Sequence, residues 1–189
     1  LSKSKLDLAR STISANDRVL VTGATGWLGR SALSLIVSTG AELMALSSKD
    51  IRTTVDGHEI DVRNYDPHLA RGFRPTVVID CAFLTRDRIF QTGLDSYIAI
   101  NRELIDRADS LAGIETVRRF VAISSGAAKP HLELGNDRYI DDPYGALKAD
   151  YERRLTENSR EIANKVVVCR PYSLSGRFAR SRSSFALFN

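Results

Sequence analysis

The chain has 189 residues, 43% hydrophobic and 26% charged, a composition that suits one water-soluble folded domain with a sizeable core. No apolar run approaches the ~20 residues of a membrane span, so no membrane partner is expected. The net charge of +4 and pI of about 9.2 suit anionic ligands such as phosphates. The basic residues are scattered, and no aromatic–basic pattern points to nucleic acid.

Residues 1–17 mix Lys, Arg, Ser and Asp and lack the apolar stretch of a secretory signal, so they read as an N-terminal extension. The chain opens on Leu1 rather than Met, which suggests a start further upstream. Short apolar runs bounded by turn residues then predict strands at 18–22, 42–46, 58–60, 76–79, 119–123 and 165–169. Between them, helical patterns are expected at 27–39, stopped by Gly40, and at 67–71, 95–111 and 144–158. This alternation predicts an α/β fold, a doubly wound parallel sheet with helices on both faces. Ligands in such sheets bind at the carboxyl ends of the strands. Cys81 and Cys169 fall in the strand-like runs and read as buried, reduced thiols of a cytoplasmic protein. The basic cluster at 177–182 reads as a solvated end.

Two motifs carry chemistry. The first strand runs into Thr22-Gly23-Ala24-Thr25-Gly26-Trp27-Leu28-Gly29, which opens a helix. Gly23, Gly26 and Gly29 let the backbone turn sharply and approach a pyrophosphate, which the helix N-terminus then favours. Trp27 lies inside this loop and reads as a packing residue with access to the cofactor; Tyr65 and Phe73 read as packing alone. The second motif is Tyr144-Gly145-Ala146-Leu147-Lys148, a phenol and an ammonium at i and i+4 on one helix face. A nearby ammonium is expected to lower the tyrosine pKa toward a useful acid/base range. Taken alone, this spacing also suits a structural helix whose apolar stripe is Tyr144, Leu147, Tyr151 and Leu155. Ser124-Ser125, at the end of the strand 119–123, supplies a hydroxyl that turns the balance toward a hydride-transfer site. Asn101 falls within an apolar helix stripe, either as a satisfied core amide or as one that orders backbone near the site.

Thr22–Gly29 resembles the dinucleotide motif of the extended short-chain dehydrogenases/reductases, the Rossmann-fold group of nucleotide-sugar epimerases, dehydratases and ketoreductases. The order of further matches extends the resemblance over most of residues 18–176, which it identifies as the NAD(P)-binding domain. By resemblance, Asp61-Val62 meets the adenine, Cys81-Ala82-Phe83 lies beneath the cofactor, and Asn101 is the helix asparagine. Asp142-Pro143 precedes the tyrosine and Glu152 follows the lysine as in the family. Arg170-Pro171-Tyr172-Ser173 stands where the last strand reaches the nicotinamide, so Pro171 and Tyr172 are cofactor-binding candidates. The resemblance implies Ser125, Tyr144 and Lys148 as the catalytic trio, with Tyr144 and Lys148 also touching the cofactor. It also implies a homodimer through the helices at 95–111 and 144–158. Gly26, Thr25, Trp27, Leu28 and the flanking glycines would hold the phosphates.

The end of the second strand bears on the cofactor. An acidic residue there favours NAD, but this chain has Ser47-Ser48-Lys49 before Asp50, with Arg52 close behind. NADP is favoured over NAD, although Asp50 could still serve a ribose. Three departures from the family qualify the substrate. Gly126-Ala127 replace the Asp-Glu that the 4,6-dehydratases carry after the hydroxyl, which disfavours dehydration. Ser173 replaces an Asn common in sugar-nucleotide enzymes. By the family's usual length, residues 177–189 are expected to be only the start of a substrate domain. The expected function is an NAD(P)-dependent oxidoreductase or epimerase acting on a small molecule, a sugar nucleotide or similar carbonyl or alcohol. The alternative is a non-catalytic dinucleotide sensor or regulatory module.

Overall fold

A computed structural model describes residues 12–134, 141–157, 159–172, 174 and 178. Seven strands form one sheet: β1 (Arg18–Thr22), β2 (Glu42–Ser47), β3 (Ile51–Val55), β4 (His58–Asn64), β5 (Val77–Asp80), β6 (Arg119–Ile123) and β7 (Val166–Cys169). Their spatial order is β3-β4-β2-β1-β5-β6-β7. All neighbours are parallel except β3 and β4. The order reverses between β1 and β5, which opens a crevice at their carboxyl ends.

Seven α-helices accompany the sheet among the described residues: α1 (Trp27–Ile36), α2 (Pro67–Phe73), α3 (Ile89–Thr92), α4 (Leu94–Ala112), α5 (Lys129–Leu134), α6 (Pro143–Glu157) and α7 (Arg160–Lys165). Successive residues of a strand face opposite layers, and β1 shows this directly. Leu20 packs with Tyr97, Ile105 and Leu111 of α4 and with Leu147, Tyr151 and Leu155 of α6. Val19 and Val21 pack on the other face with Ala32, Leu33 and Ile36 of α1. The doubly wound expectation therefore holds, with apolar residues of one strand feeding two cores.

The strand β3 was not expected. Its sequence, Ile-Arg-Thr-Thr-Val, is too polar to stand out as a core strand. It forms because Asp56 and Gly57, at φ 50° and 82°, make a tight two-residue turn that pairs Val55 with His58. The fold thus carries one antiparallel edge, and β4 extends well past the expected 58–60. The first helix stops at Ile36 rather than Thr39, because residues 37–40 close into a turn with the Thr39 hydroxyl and N–H both donating to the Ile36 carbonyl. The short α3, α5 and α7 were also unforeseen, each having too few residues for periodicity to register. By contrast, α2 carries explicit start signals: Pro67 at its first position and Asp66, whose Oδ1 accepts from the N–H groups of His68 (2.7 Å) and Leu69 (3.3 Å). No helix among the described residues is long and apolar enough to cross a membrane.

Candidate active site

The glycine loop leaves β1 at Thr22 and enters α1. Gly23 has φ +59°, and a Cβ there would lie 2.6 Å from the Cys81 carbonyl carbon. A Cβ on Gly29 would lie 2.1 Å from the Gly23 carbonyl oxygen. Glycine at both positions lets the loop, the helix start and the end of β5 pack backbone to backbone. Among the described residues no side chain caps Gly26, and the first turn of α1 holds no acidic residue. The N–H groups at this helix start are therefore oriented for an anion. Thr25 and Gly26 are exposed, while Trp27 and Leu28 are half-buried at the start of α1. A dinucleotide pyrophosphate fits this cradle by its donors and by its lack of Cβ atoms.

Thr22 fastens the cradle to the next strand. Its hydroxyl donates to Asp80 Oδ1 and accepts from the N–H groups of Cys81 (3.2 Å) and Ala82 (3.3 Å). Cys81, Ala82 and Phe83 consequently pass beside the glycines, all three half-buried. Cys81 and Cys169 are free thiols, half-buried rather than fully enclosed, and burial pushes the Cys81 thiol up to about 12. Asn101 is a satisfied core amide that also orders backbone. It is fully buried, its Oδ1 accepts from Leu84 N–H at 2.8 Å, and its amide lies 3.4 Å from the Leu84 carbonyl. The core amide thereby holds the backbone that follows Phe83.

At the end of β6 the two serines separate. Ser124 is buried and its hydroxyl donates to Glu152. Ser125 accepts from Ala127 N–H at 3.2 Å, capping a 3-10 turn over Gly126–Ala128. Ser125 is near enough to act on the Tyr144 phenol, whereas Ser124 is turned into the interior.

Lys148 is positioned differently from the expectation. Its ammonium is buried, donates to the Ile123 carbonyl at 2.7 Å, and lies 3.7 Å from the Phe83 ring centroid and 5.0 Å from that of Tyr151. Burial lowers its pKa to about 8. The Tyr144 pKa is raised, not lowered: burial dominates, and the Ser125 hydroxyl and the Arg86 charge offset it only in part. The cation beside the Tyr144 ring is Arg86, 5.8 Å from the centroid. Arg86 also pairs with Asp142 at 2.8 Å, and Asp142 accepts from Gly145 N–H (3.1 Å) and meets His131 Nε2 at 3.4 Å. Sequence reasoning missed Arg86, His131, Asp80 and Tyr151 as neighbours of the site. Arg86, His131 and Asp80 arrive from a 3-10 turn, a short helix and a strand end, with no mutual spacing to betray them, whereas Tyr151 lies in α6 three residues after Lys148 and reads from sequence as part of its apolar stripe.

At the β2 end, Ser47 is buried, its hydroxyl donating to the Lys49 carbonyl at 3.2 Å. Ser48 and Lys49 are exposed. The Asp50 carboxylate is engaged, accepting from Asn64 N–H (3.0 Å) and Arg63 Nε (3.2 Å), so it clips β4 to the turn. Val62 is buried, whereas Asp61 is exposed and paired with Arg52 at 2.8 Å across the β3–β4 hairpin. That pair stands three residues before the carboxyl end of β4, where Asn64 lies level with Ser47. Beyond β7, Pro171 accepts from Gly126 N–H at 3.0 Å, and the exposed Tyr172 ring lies directly on Gly126. Ser173, Gly176 and the basic cluster's arginines lie outside the described residues.

The sequence profile of the NAD-dependent epimerase/dehydratase family matches residues 19–187. The chain belongs to this family. Among curated proteins none matches it significantly. Among solved structures, UDP-glucose 4-epimerase from Brucella ovis in complex with NAD aligns at a TM-score of 0.63 with 17% identity, over 84% of this chain and 52% of that one. L-threonine 3-dehydrogenase from Trypanosoma brucei aligns at 0.63 with 22% identity, over 82% and 53%. The dTDP-4-dehydrorhamnose reductase from Bacillus anthracis, in complex with NADP, aligns at 0.50 with 19% identity, over 82% and 53%. This epimerase/dehydratase-family chain thus shares its relatives' fold and spans about half their length.

Proposed function

We propose that the chain carries the dinucleotide half of an NAD(P)-dependent oxidoreductase or epimerase, acting on a sugar nucleotide or a similar carbonyl or alcohol. The observation that carries this reading is the glycine cradle, with Gly23 and Gly29 packed backbone to backbone against the end of β5, in a member of this family. Gly23 to Gly29 would hold the pyrophosphate, and Lys148, Phe83 and Tyr172 would flank the nicotinamide end. A bound nicotinamide dinucleotide supplies or accepts the hydride. Tyr144 Oη gives its proton to the substrate oxygen during carbonyl reduction and takes it back during alcohol oxidation. Ser125 Oγ donates a hydrogen bond to the same oxygen and steadies the negative charge that develops there.

Burial raises the Tyr144 pKa further above neutrality, so the phenol is in the protonated form that a proton donor needs. The engagement of Asp50 leaves exposed hydroxyl and ammonium groups at the β2 end, which favours NADP. Gly126 and Ala127 offer no acid or base, which disfavours dehydration. Calorimetric titration with NADPH and NADH, followed by turnover of UDP-glucose and a UDP-4-ketosugar, tests the reading. Tyr144→Phe is expected to keep cofactor affinity and to cut turnover at least about 100-fold. Cofactor binding with no turnover in the wild type would point instead to a dinucleotide sensor.

A further inference from the structure

Asp80 ends β5 directly behind the cradle, and nothing in the Ser125–Tyr144 chemistry employs it. Its side chain is enclosed, the residue being 4% exposed. Oδ1 accepts the Thr22 hydroxyl and Oδ2 accepts the Tyr151 hydroxyl at 2.6 Å. Every one of those partners is neutral. The cation of this enclosure is Lys148, whose ammonium is fixed by the Ile123 carbonyl and by the Phe83 and Tyr151 rings. Tyr151 touches both charges, bonding one with its hydroxyl and flanking the other with its ring.

An ammonium taken out of water into such a site deprotonates unless an opposite charge compensates it. The groups that face Lys148 are Asp80 from β5, Cys81 just beyond it, and Glu152 from its own helix. Cys81 is a neutral thiol, and Glu152 is already matched by Arg170. Burial pushes the Asp80 carboxyl up, while the Thr22 and Tyr151 hydrogen bonds and the Lys148 charge pull it back, so Asp80 is the counter-charge that Lys148 meets across Tyr151. We propose that Asp80 is a positioning residue for Lys148, a buried counter-charge that keeps the ammonium protonated and seated at the floor of the dinucleotide cradle. Through Thr22 the same carboxylate ties that ammonium to the turn that begins the glycine loop. The inference rests on the reading of Lys148 as a cofactor-site residue.

The test is a lysine-Nζ NMR titration of the cofactor-free chain, with the Lys148 signal identified by its loss in Lys148→Met. Lys148 is expected to titrate near 8 in the wild type and at least about one pH unit lower in Asp80→Asn. Thr22→Val, which removes a hydrogen bond but no charge, should move it far less. An unmoved Lys148 titration in Asp80→Asn would overturn the proposal. If that variant does not fold, the reciprocal measurement decides: the Asp80 carboxyl should titrate higher in Lys148→Met than in the wild type, and no difference overturns the proposal. NADPH affinity of Lys148→Met, read by calorimetry, tests the site reading separately, because unchanged affinity would sink Lys148 as a cofactor residue whatever the titration shows.

Discussion

Arg170 Nε lies 2.8 Å from Oε2 and 2.9 Å from Oε1 of Glu152, a carboxylate that is 2% exposed. The pair fastens the end of β7 to α6, and the Ser124 hydroxyl joins it from the end of β6. Three elements that frame Ser125, Lys148 and Tyr172 thus share one buried anion. Glu152→Gln keeps the shape and removes the charge. It is expected to lower stability by roughly 1.5–3 kcal/mol, the scale of hydrogen bonds to charged groups. Urea denaturation checks this, and an unchanged midpoint would show that the pair is not a fastening.

The cradle glycines and the hairpin glycine should behave differently. Gly29→Ala forces a Cβ onto the Gly23 carbonyl oxygen, a backbone atom. Loss of about 1–3 kcal/mol is expected, together with loss of NADPH binding. Gly57 also has positive φ, at 82°, but nothing lies within 4 Å of its would-be Cβ. Gly57→Ala should cost about 1–2 kcal/mol of backbone strain and leave NADPH affinity as it was. Equal effects of the two on calorimetric binding would contradict the assignment of the cradle.

Lys49 tests the cofactor preference. If its exposed ammonium meets a 2′-phosphate, Lys49→Ala should weaken NADPH binding by roughly 5- to 10-fold, the scale of about 1 kcal/mol for a surface charge pair. NADH binding should not change. Parallel titrations decide, and equal losses for both cofactors would remove Lys49 from the discrimination.

Asp17 gives a pH signature remote from the site. Burial by itself would raise its pKa, but the Ser14 N–H, Arg118, Thr76 and the Ser14 hydroxyl together hold it well below the usual carboxylate range. The contacts are 2.9 Å to Ser14 N, 2.7 Å to Arg118 and 2.8 Å to the Thr76 hydroxyl. A depressed folded-state pKa contributes stability above the unfolded value of about 3.9 and loses it as pH falls toward the folded value. Asp17→Asn should therefore be less stable than wild type at neutral pH, with the gap shrinking below about pH 4. Denaturation midpoints across pH read this directly, and a constant gap would rule out the linkage.

Much of the fold was legible because burial imposes periodicity. β1 and β6 fall at the expected limits, and the long helices α4 and α6 lie within a residue or two of expectation, since each has a strong apolar face. The hairpin strand β3 escaped because its signal is the Asp56-Gly57 turn rather than its own polar residues. Thr22, Glu152 and Asn101 were visible as positions in a motif order. Their partners Asp80, Arg170 and Leu84 emerged only as contacts.

The sequence by itself determined the alternation of strands and helices, the glycine spacing and the membership of the family, because these depend on residue type at short, regular intervals. The tertiary structure alone decided how charge is distributed around the tyrosine. One helical turn separates Tyr144 from Lys148 along the chain, yet packing turns the ammonium inward toward Ile123, Phe83 and Asp80, and leaves Arg86 beside the phenol. Spacing on a helix sets which side chains are neighbours, whereas desolvation and the charges contributed by other strands set their protonation, and those come together only when the sheet forms.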